Sequence, residues 1–221
     1  MTDAFERGDL DEASRQGVLA GPAVIERALA SPARTSRLAA ITAAAAVDDR
    51  AELLPTLATQ AAGADRRTAI PAAVAARKIA RELATEDLPD DLGTDDVQAW
   101  RGVFEQLARN ANRFVEVRVL ALDTAHALAQ LSDPDNPGFD LKVMLGDPDP
   151  GIRAAALRLV PAPAPSALRP LLANAVTSDA DPLVALGAAQ ALCDDKASAQ
   201  ALRRAPALDQ IRAIAARCLA K

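Results

Sequence analysis

The chain has very few aromatic side chains and little histidine or cysteine. Its 221 residues include four Phe, one Trp and no Tyr, together with one His and two Cys. Strands are usually rich in aromatic and β-branched residues, so this scarcity excludes a β-sandwich or a β-barrel. One histidine and two cysteines far apart in sequence also lack the spacing of a zinc site. The sequence therefore offers no metal site and no cofactor motif.

Long apolar runs and excess positive charge are missing as well. No run of about 18 apolar residues is present to span a membrane. The first seven residues lack the apolar region of a signal peptide, which favours the cytoplasm, with an exported protein whose leader has been removed as the alternative. The net charge of −5 opposes general attraction to phosphate backbones, so nucleic acid is a disfavoured partner.

Alanine is the residue that the chain has in abundance. It makes up about a quarter of the sequence, within an apolar fraction of 50% and a charged fraction of 25%. Alanine has the highest helix propensity and lets helices approach closely. With this much apolar sequence the chain is not disordered. The composition predicts an all-α protein with a core of small side chains.

A helix start of one kind occurs twice, 32 residues apart. Residues 149–157 match residues 181–189 position by position, and each segment begins with Asp-Pro. The Asp carboxylate caps a helix, and Pro is favoured at the first helical position because its missing N–H would have no partner there. Ile152 in the first copy and Val184 in the second begin the apolar stripe that follows. We expect Asp149 and Asp181 to be equivalent N-caps in adjacent repeats.

An arginine after the apolar residue is the second shared feature. Arg153 has this place in the first copy, and Arg118 and Arg37 have it in two weaker upstream copies, whereas the second clear copy has Ala185. Ile152 begins a stripe that continues at i+3, i+4 and i+7. We expect these Asp and Arg side chains to bridge neighbouring repeats.

The pattern Asp-Pro-x-apolar-Arg-x-x-Ala resembles HEAT and HEAT-like repeats, a group that includes the repeats of phycobilisome lyases. The resemblance implies a right-handed α-solenoid of antiparallel helical hairpins that forms a single domain over residues 1–221. Its repeats are degenerate over about 1–131 and clearest over about 139–193, and a closing cap spans about 195–221. A solenoid end needs a polar cap, and such a cap predicts a monomer.

Periodicity and capping residues predict thirteen helices. They lie near 8–19, 22–30, 35–47, 50–62, 66–84, 96–110, 113–131, 139–145, 150–160, 166–176, 182–193, 196–204 and 207–220. Pro55 and Pro71 each mark a late helix start or a kink. Two acidic loops, residues 85–96 and 132–138, lack the residue order of a calcium site and are interpreted as capping and solubilising segments, with Asp95 as an N-cap.

Three further groups of residues are weighed as candidate sites. His126 follows Asp123 by three residues, which permits an acid–base pair, but packing is the preferred interpretation. Trp100 shares the spacing of a buried face with Phe104, and a pocket lined by aromatics, as in HEAT-like DNA glycosylases, is the alternative. The one basic cluster is interpreted as a solvated face; it consists of Arg66, Arg67, Arg77, Lys78 and Arg81.

The two cysteines permit one disulfide. If Cys193 and Cys218 are bridged, an oxidising compartment is indicated, whereas two free thiols suit the cytoplasm equally. No catalytic triad, phosphate loop or dinucleotide fingerprint is present. The sequence therefore predicts a non-enzymatic scaffold that binds another protein, still unidentified. The alternative is a HEAT-like enzyme or nucleic-acid-binding protein of the DNA-glycosylase or bilin-lyase type.

Overall fold

The computed structural model consists of helices joined by turns and short loops in the residues that it describes. These are residues 21–47, 50–85, 92–132 and 141–193, together with the isolated positions 12, 15, 16, 19, 211 and 214. Within these ranges the chain forms ten α-helices and one 3₁₀ turn and contains no strand. The all-α prediction is confirmed.

The helices follow the chain in short, closely spaced segments. They are α1 (Pro22–Leu29), α2 (Arg34–Ala44), α3 (Leu54–Ala61), α4 (Arg66–Leu83), α5 (Thr94–Arg109), α6 (Val115–Ser132), α7 (Leu141–Leu145), α8 (Pro150–Arg158), α9 (Arg169–Ser178) and α10 (Pro182–Ala191). The 3₁₀ turn Arg50–Leu53 leads directly into α3.

The chain divides into two compact units, residues 1–139 and 140–221. In the first unit, α1 packs against α2, α3 against α4, and α5 against α6, so each pair forms a hairpin. The second helices of successive hairpins also pack together in chain order, α2 against α4 and α4 against α6. The first helices do the same, α1 against α3 and α3 against α5.

The second unit repeats this packing on a smaller scale. Helix α7 packs against α8, α9 against α10, and α8 against α10. Gly187 on α10 stands where α8 comes close, since a Cβ there would lie 3.1 Å from Leu157 Cδ1. Of the predicted C-terminal cap, only Ile211 and Ile214 are described, and both are helical and buried.

Small side chains fill much of the core, as the composition predicts. On α4, six alanines are at most 6% exposed. They are Ala69, Ala72, Ala73, Ala75, Ala76 and Ala80. Because an alanine projects only a methyl group, it lets the backbones of α2, α3 and α6 come close to α4.

Several predicted helix boundaries are wrong in detail. The helix predicted over 50–62 is a 3₁₀ turn followed by α3, with Pro55 at the helix start. Pro71, in contrast, lies inside the continuous helix α4. Asp95 is not an N-cap, because Gly93 has that position. Asp95 lies in the first turn of α5, where its negative charge interacts favourably with the helix dipole. Leu159, predicted on the buried stripe, is the half-buried C-cap of α8.

In the ranges that the structure describes, every helix is too short or too polar to cross a bilayer.

Candidate functional site

The two Asp-Pro helix starts of the second unit have matching local geometry. Asp149 accepts a hydrogen bond from the Gly151 N–H, and Asp181 accepts one from the Leu183 N–H, each at 2.8 Å. Both caps have extended backbone angles. The residues at the start of each apolar stripe, Ile152 and Val184, are 0% and 1% exposed. The local sequence match thus corresponds to a match of capping contacts and burial.

An aspartate two residues before each cap supports the turn. The backbone N–H of Asp149 donates to Asp147 Oδ1, and that of Asp181 donates to Asp179 Oδ1, both at 2.9 Å. This is an Asx-turn, in which a side chain substitutes for a backbone acceptor. The repeated unit is therefore Asp-x-Asp-Pro, which is two residues longer than the Asp-Pro start predicted from the sequence.

Arg153 connects the first start to the second. Its Nε and Nη2 donate to the two carboxylate oxygens of Asp179, each at 2.8 Å, and its Nη1 donates to the carbonyls of Asp147 and Pro148. The hydrogen bonds from Arg153 hold the pKa of Asp179 below its ordinary value, although partial burial opposes them. This bidentate pair bridges the two starts, as the repeat pattern predicts.

Arg37 makes the same backbone contacts in the first unit. Its Nη1 donates to the carbonyls of Ser31 and Pro32 at 2.8 Å, five and six residues back, as in Arg153. Ser31 also accepts a hydrogen bond from the Ala33 N–H, in the manner of Asp147. Arg118 lies elsewhere: it is 3% exposed, and its Nε donates to the carbonyl of Ala108, ten residues back.

Four of the five residues in the basic cluster are paired with acidic residues rather than simply solvated. On α4, Arg77 and Arg81 lie 3.6 and 3.4 Å from Oδ2 of Asp123, whose side chain is only 7% exposed. Near the helix starts, Arg66 pairs with Glu116. The start of α4 thus meets the start of α6 and its second half meets the middle of α6, so the two helices run in the same direction. The interpretation of this cluster as a solvated face did not include these carboxylates, which lie far from it in sequence.

His126 is half-buried on α6 beside this ion-pair group. Its Nε2 lies 3.3 Å from Gln130 Nε2, and its Nδ1 is buried with no hydrogen-bond partner. The Asp123 carboxylate faces the α4 arginines and makes no hydrogen bond with His126, so the acid–base pair that was considered as an alternative does not form. Burial lowers the pKa of His126, and the nearby Asp123 charge partly offsets this effect.

A pH dependence of stability follows from this environment. Because the folded-state pKa of His126 is below its unfolded value of about 6.5, the folded chain favours the neutral ring. The contribution of the neutral His126 ring to the free energy of unfolding is complete above the unfolded pKa. It decreases as the pH falls toward the folded pKa. We expect urea unfolding, followed by Trp100 fluorescence, to show a loss of stability from pH 7.5 to 5.5 that is smaller in His126→Gln. His126 is the only histidine, so an equal loss in the variant contradicts this assignment.

Trp100 does not lie in the core as its spacing predicts. On α5, Val97 and Phe104 are at most 1% exposed, whereas Trp100 is only half-buried. The buried stripe of α5 passes through Val97, Phe104 and Ala108, so the indole of Trp100 lies beside this stripe rather than within it.

The described positions of the acidic loop 85–96 are 85 and 92–96, and they carry two carboxylates, those of Asp95 and Asp96. The described residues contain no cluster of potential metal ligands.

Cys193 follows α10 and takes part in a disulfide. The second cysteine of the pair considered above, Cys218, lies outside the described residues, as do Asp133, Asp135 and Asp140. The compartment implied by a Cys193–Cys218 bridge stays a prediction.

An exposed stripe runs along most of helix α4. Its residues are Arg67, Ile70, Pro71, Val74, Arg77, Lys78 and Arg81, and we call this set the α4 stripe. Each is exposed or half-exposed, while the intervening positions are largely buried alanines. At 100° per residue the stripe covers an arc of about 120°, and at 1.5 Å per residue it is about 21 Å long. In the sequence, the larger side chains recur among the alanines at the 3.6-residue spacing of a helix, and this pattern alone indicates the stripe.

Comparison with known proteins gives no assignment. No protein-family model matches the chain, and no curated protein matches it significantly. The HEAT-like resemblance therefore rests on the Asp-Pro and Arg positions alone.

Proposed function

We propose that the protein is a non-enzymatic scaffold of the HEAT-like α-solenoid type that binds another protein. The observation that carries the proposal is the ordered packing of second helices in the first unit, α2 against α4 and α4 against α6. Stacked hairpins of this kind create extended surfaces, which repeat proteins use for binding. The α4 stripe is a surface of this type, since it runs for most of the length of its helix and carries both apolar and charged side chains.

The Arg and Asp residues are assigned structural roles within this proposal. Arg153 and Arg37 use their guanidinium groups to hold the carbonyls of the preceding turn. Asp149 and Asp181 use their carboxylates to cap helices. Because these side chains are engaged within the chain, they stabilise the hairpins rather than perform chemistry on a substrate.

Affinity capture followed by reconstitution tests the proposal. The tagged chain is recovered from its native cells with and without nuclease, and captured proteins are identified by mass spectrometry. Each candidate is then expressed separately and mixed with the chain. We expect one protein to form a complex of defined stoichiometry by size exclusion with light scattering, and the chain alone to be a monomer. Recovery of nucleic acid that is lost with salt or nuclease, with no protein forming a complex, would overturn the scaffold function.

A further inference from the structure

Helix α4 has more positive charge than its neighbours neutralise. The cations Arg66, Arg67, Arg77, Lys78 and Arg81 are served by three carboxylates, those of Glu82, Glu116 and Asp123. Glu82 also pairs with Arg50. Arg67 is exposed and makes no ion pair with any residue that the structure describes. In a chain of net charge −5, this face is a local excess of positive charge.

Apolar side chains run along the middle of the same face. Val74 is 43% exposed, and Ile70 and Pro71 are half-exposed one turn before it. Arg67 precedes these three residues on the stripe, and Arg77, Lys78 and Arg81 follow them. A surface with an apolar centre and cationic ends is complementary to an amphipathic helix whose apolar stripe is flanked by carboxylates.

Resting on the proposed scaffold function, we infer that the α4 stripe is the docking surface for an acidic amphipathic helix of the partner protein. The length of about 21 Å accommodates about 14 helical residues, or four turns. Phosphate backbones are a poorer match, because the centre of the stripe is aliphatic and presents no aromatic ring on which a base can stack. The four stripe cations are the groups that recognise the partner's carboxylates.

Two of these cations are suited to substitution. Arg67 and Lys78 are both exposed, and Lys78 makes only peripheral contacts, 3.8 Å to Glu82 and 3.2 Å to the carbonyl of Ala45. Arg67→Glu with Lys78→Glu therefore cancels the net positive charge of the four stripe cations, while the Asp123 ion pairs of Arg77 and Arg81 stay intact. Arg27→Glu with Arg158→Glu is the matched control, since both arginines are exposed, lie on α1 and α8, and give the same change in net charge.

Fluorescence anisotropy with defined probes tests the inference. The probe is an 18-residue helical peptide with a Leu/Ala stripe flanked by Glu, compared with the same peptide carrying Gln for Glu and with an 18-nucleotide oligothymidylate. We expect the acidic peptide to bind at least tenfold more tightly than the Gln peptide, and more weakly as salt rises. The Arg67/Lys78 variant should lose about tenfold in affinity, Val74→Asp should also bind more weakly, and the Arg27/Arg158 control should change less than twofold.

The remaining outcomes overturn the inference in distinct ways. Equal affinity of the stripe variant and the control variant removes the stripe as the binding surface. Tighter binding of the oligothymidylate makes it a nucleic-acid surface instead. Peptide binding that occurs only after Glu86, Asp87, Asp90 and Asp91 are neutralised makes this chain's own acidic segment the occupant. A partner that still forms a complex with the stripe variant leaves the scaffold function standing while this inference fails.

Discussion

Replacing Arg153 with alanine is expected to lower the opening free energy of α8 and α9 by about 2–3 kcal/mol. The substitution removes both hydrogen bonds to Asp179 and both to the carbonyls of Asp147 and Pro148. The Asp179 side chain is only 8% exposed, so its charge would lose its partner in a place where water replaces it poorly. Native-state hydrogen exchange on peptides from residues 141–193 measures the effect, which is a roughly 30-fold or greater increase in exchange.

Two companion variants separate the ion pair from general effects. Arg158→Ala removes an exposed arginine of the same helix and should change the opening free energy by less than about 0.5 kcal/mol. Arg153 and Asp179 are then combined in a double-mutant cycle with Asp179→Asn, whose side-chain oxygen can still accept from the Asp181 N–H. A coupling energy near zero would show that Arg153 acts through the two carbonyls alone.

The features predictable from the sequence are those that short segments determine. The Asp-Pro starts at 149 and 181 require only a capping carboxylate and a proline with a suitable backbone angle, and both are written in adjacent residues. The equivalence of Arg37 to Arg153 was also visible, because its contacts reach back only five or six residues. Alanine-rich helices with a 3.6-residue apolar period gave the all-α class for the same reason.

The features that could not be predicted depend on helices far apart in the chain. Asp123 meets Arg77 and Arg81 across more than 40 residues, and no local pattern specifies that register. Trp100 shows a second reason why burial is hard to predict. Its spacing matches the buried residues of α5, but how much of a helix face is buried depends on how far the adjacent helices cover it. The α4 stripe was missed as a surface because its cations were considered together as charge, without the apolar residues between them.

The structure links the two kinds of arginine to different tasks. Arg153 and Arg37 lie near helix starts and hold the preceding turns, so their positive charge is used inside the chain. Arg67 and Lys78 lie on the exposed face of α4, where their positive charges can interact with a binding partner. This separation is the physical reason why the Arg67→Glu and Lys78→Glu substitutions are expected to change binding and leave folding nearly unaffected. Loss of Arg153 is expected to do the opposite.

Phe104→Ala is expected to be the most destabilising single substitution considered, at about 3–5 kcal/mol. Phe104 is 0% exposed on α5, which packs against α3 and α6. Much of the buried surface of α6 is alanine, at Ala121, Ala125, Ala127 and Ala129. Alanine has no side-chain rotamers, so a helix face built largely of alanine can fill little of the space that the ring leaves.

The adjacent residue provides the control for this prediction. Val103 is 43% exposed on the same helix, so Val103→Ala makes a similar change in helix propensity without opening a core cavity, and should cost less than about 0.5 kcal/mol. Phe104→Leu should lie between the two, because it retains most of the buried carbon atoms. Urea unfolding followed by the fluorescence of Trp100, one turn away on α5, reports on the same unit for all three variants. Equal midpoints for Phe104→Ala and Val103→Ala would show that α5 does not form the core contact that its burial implies.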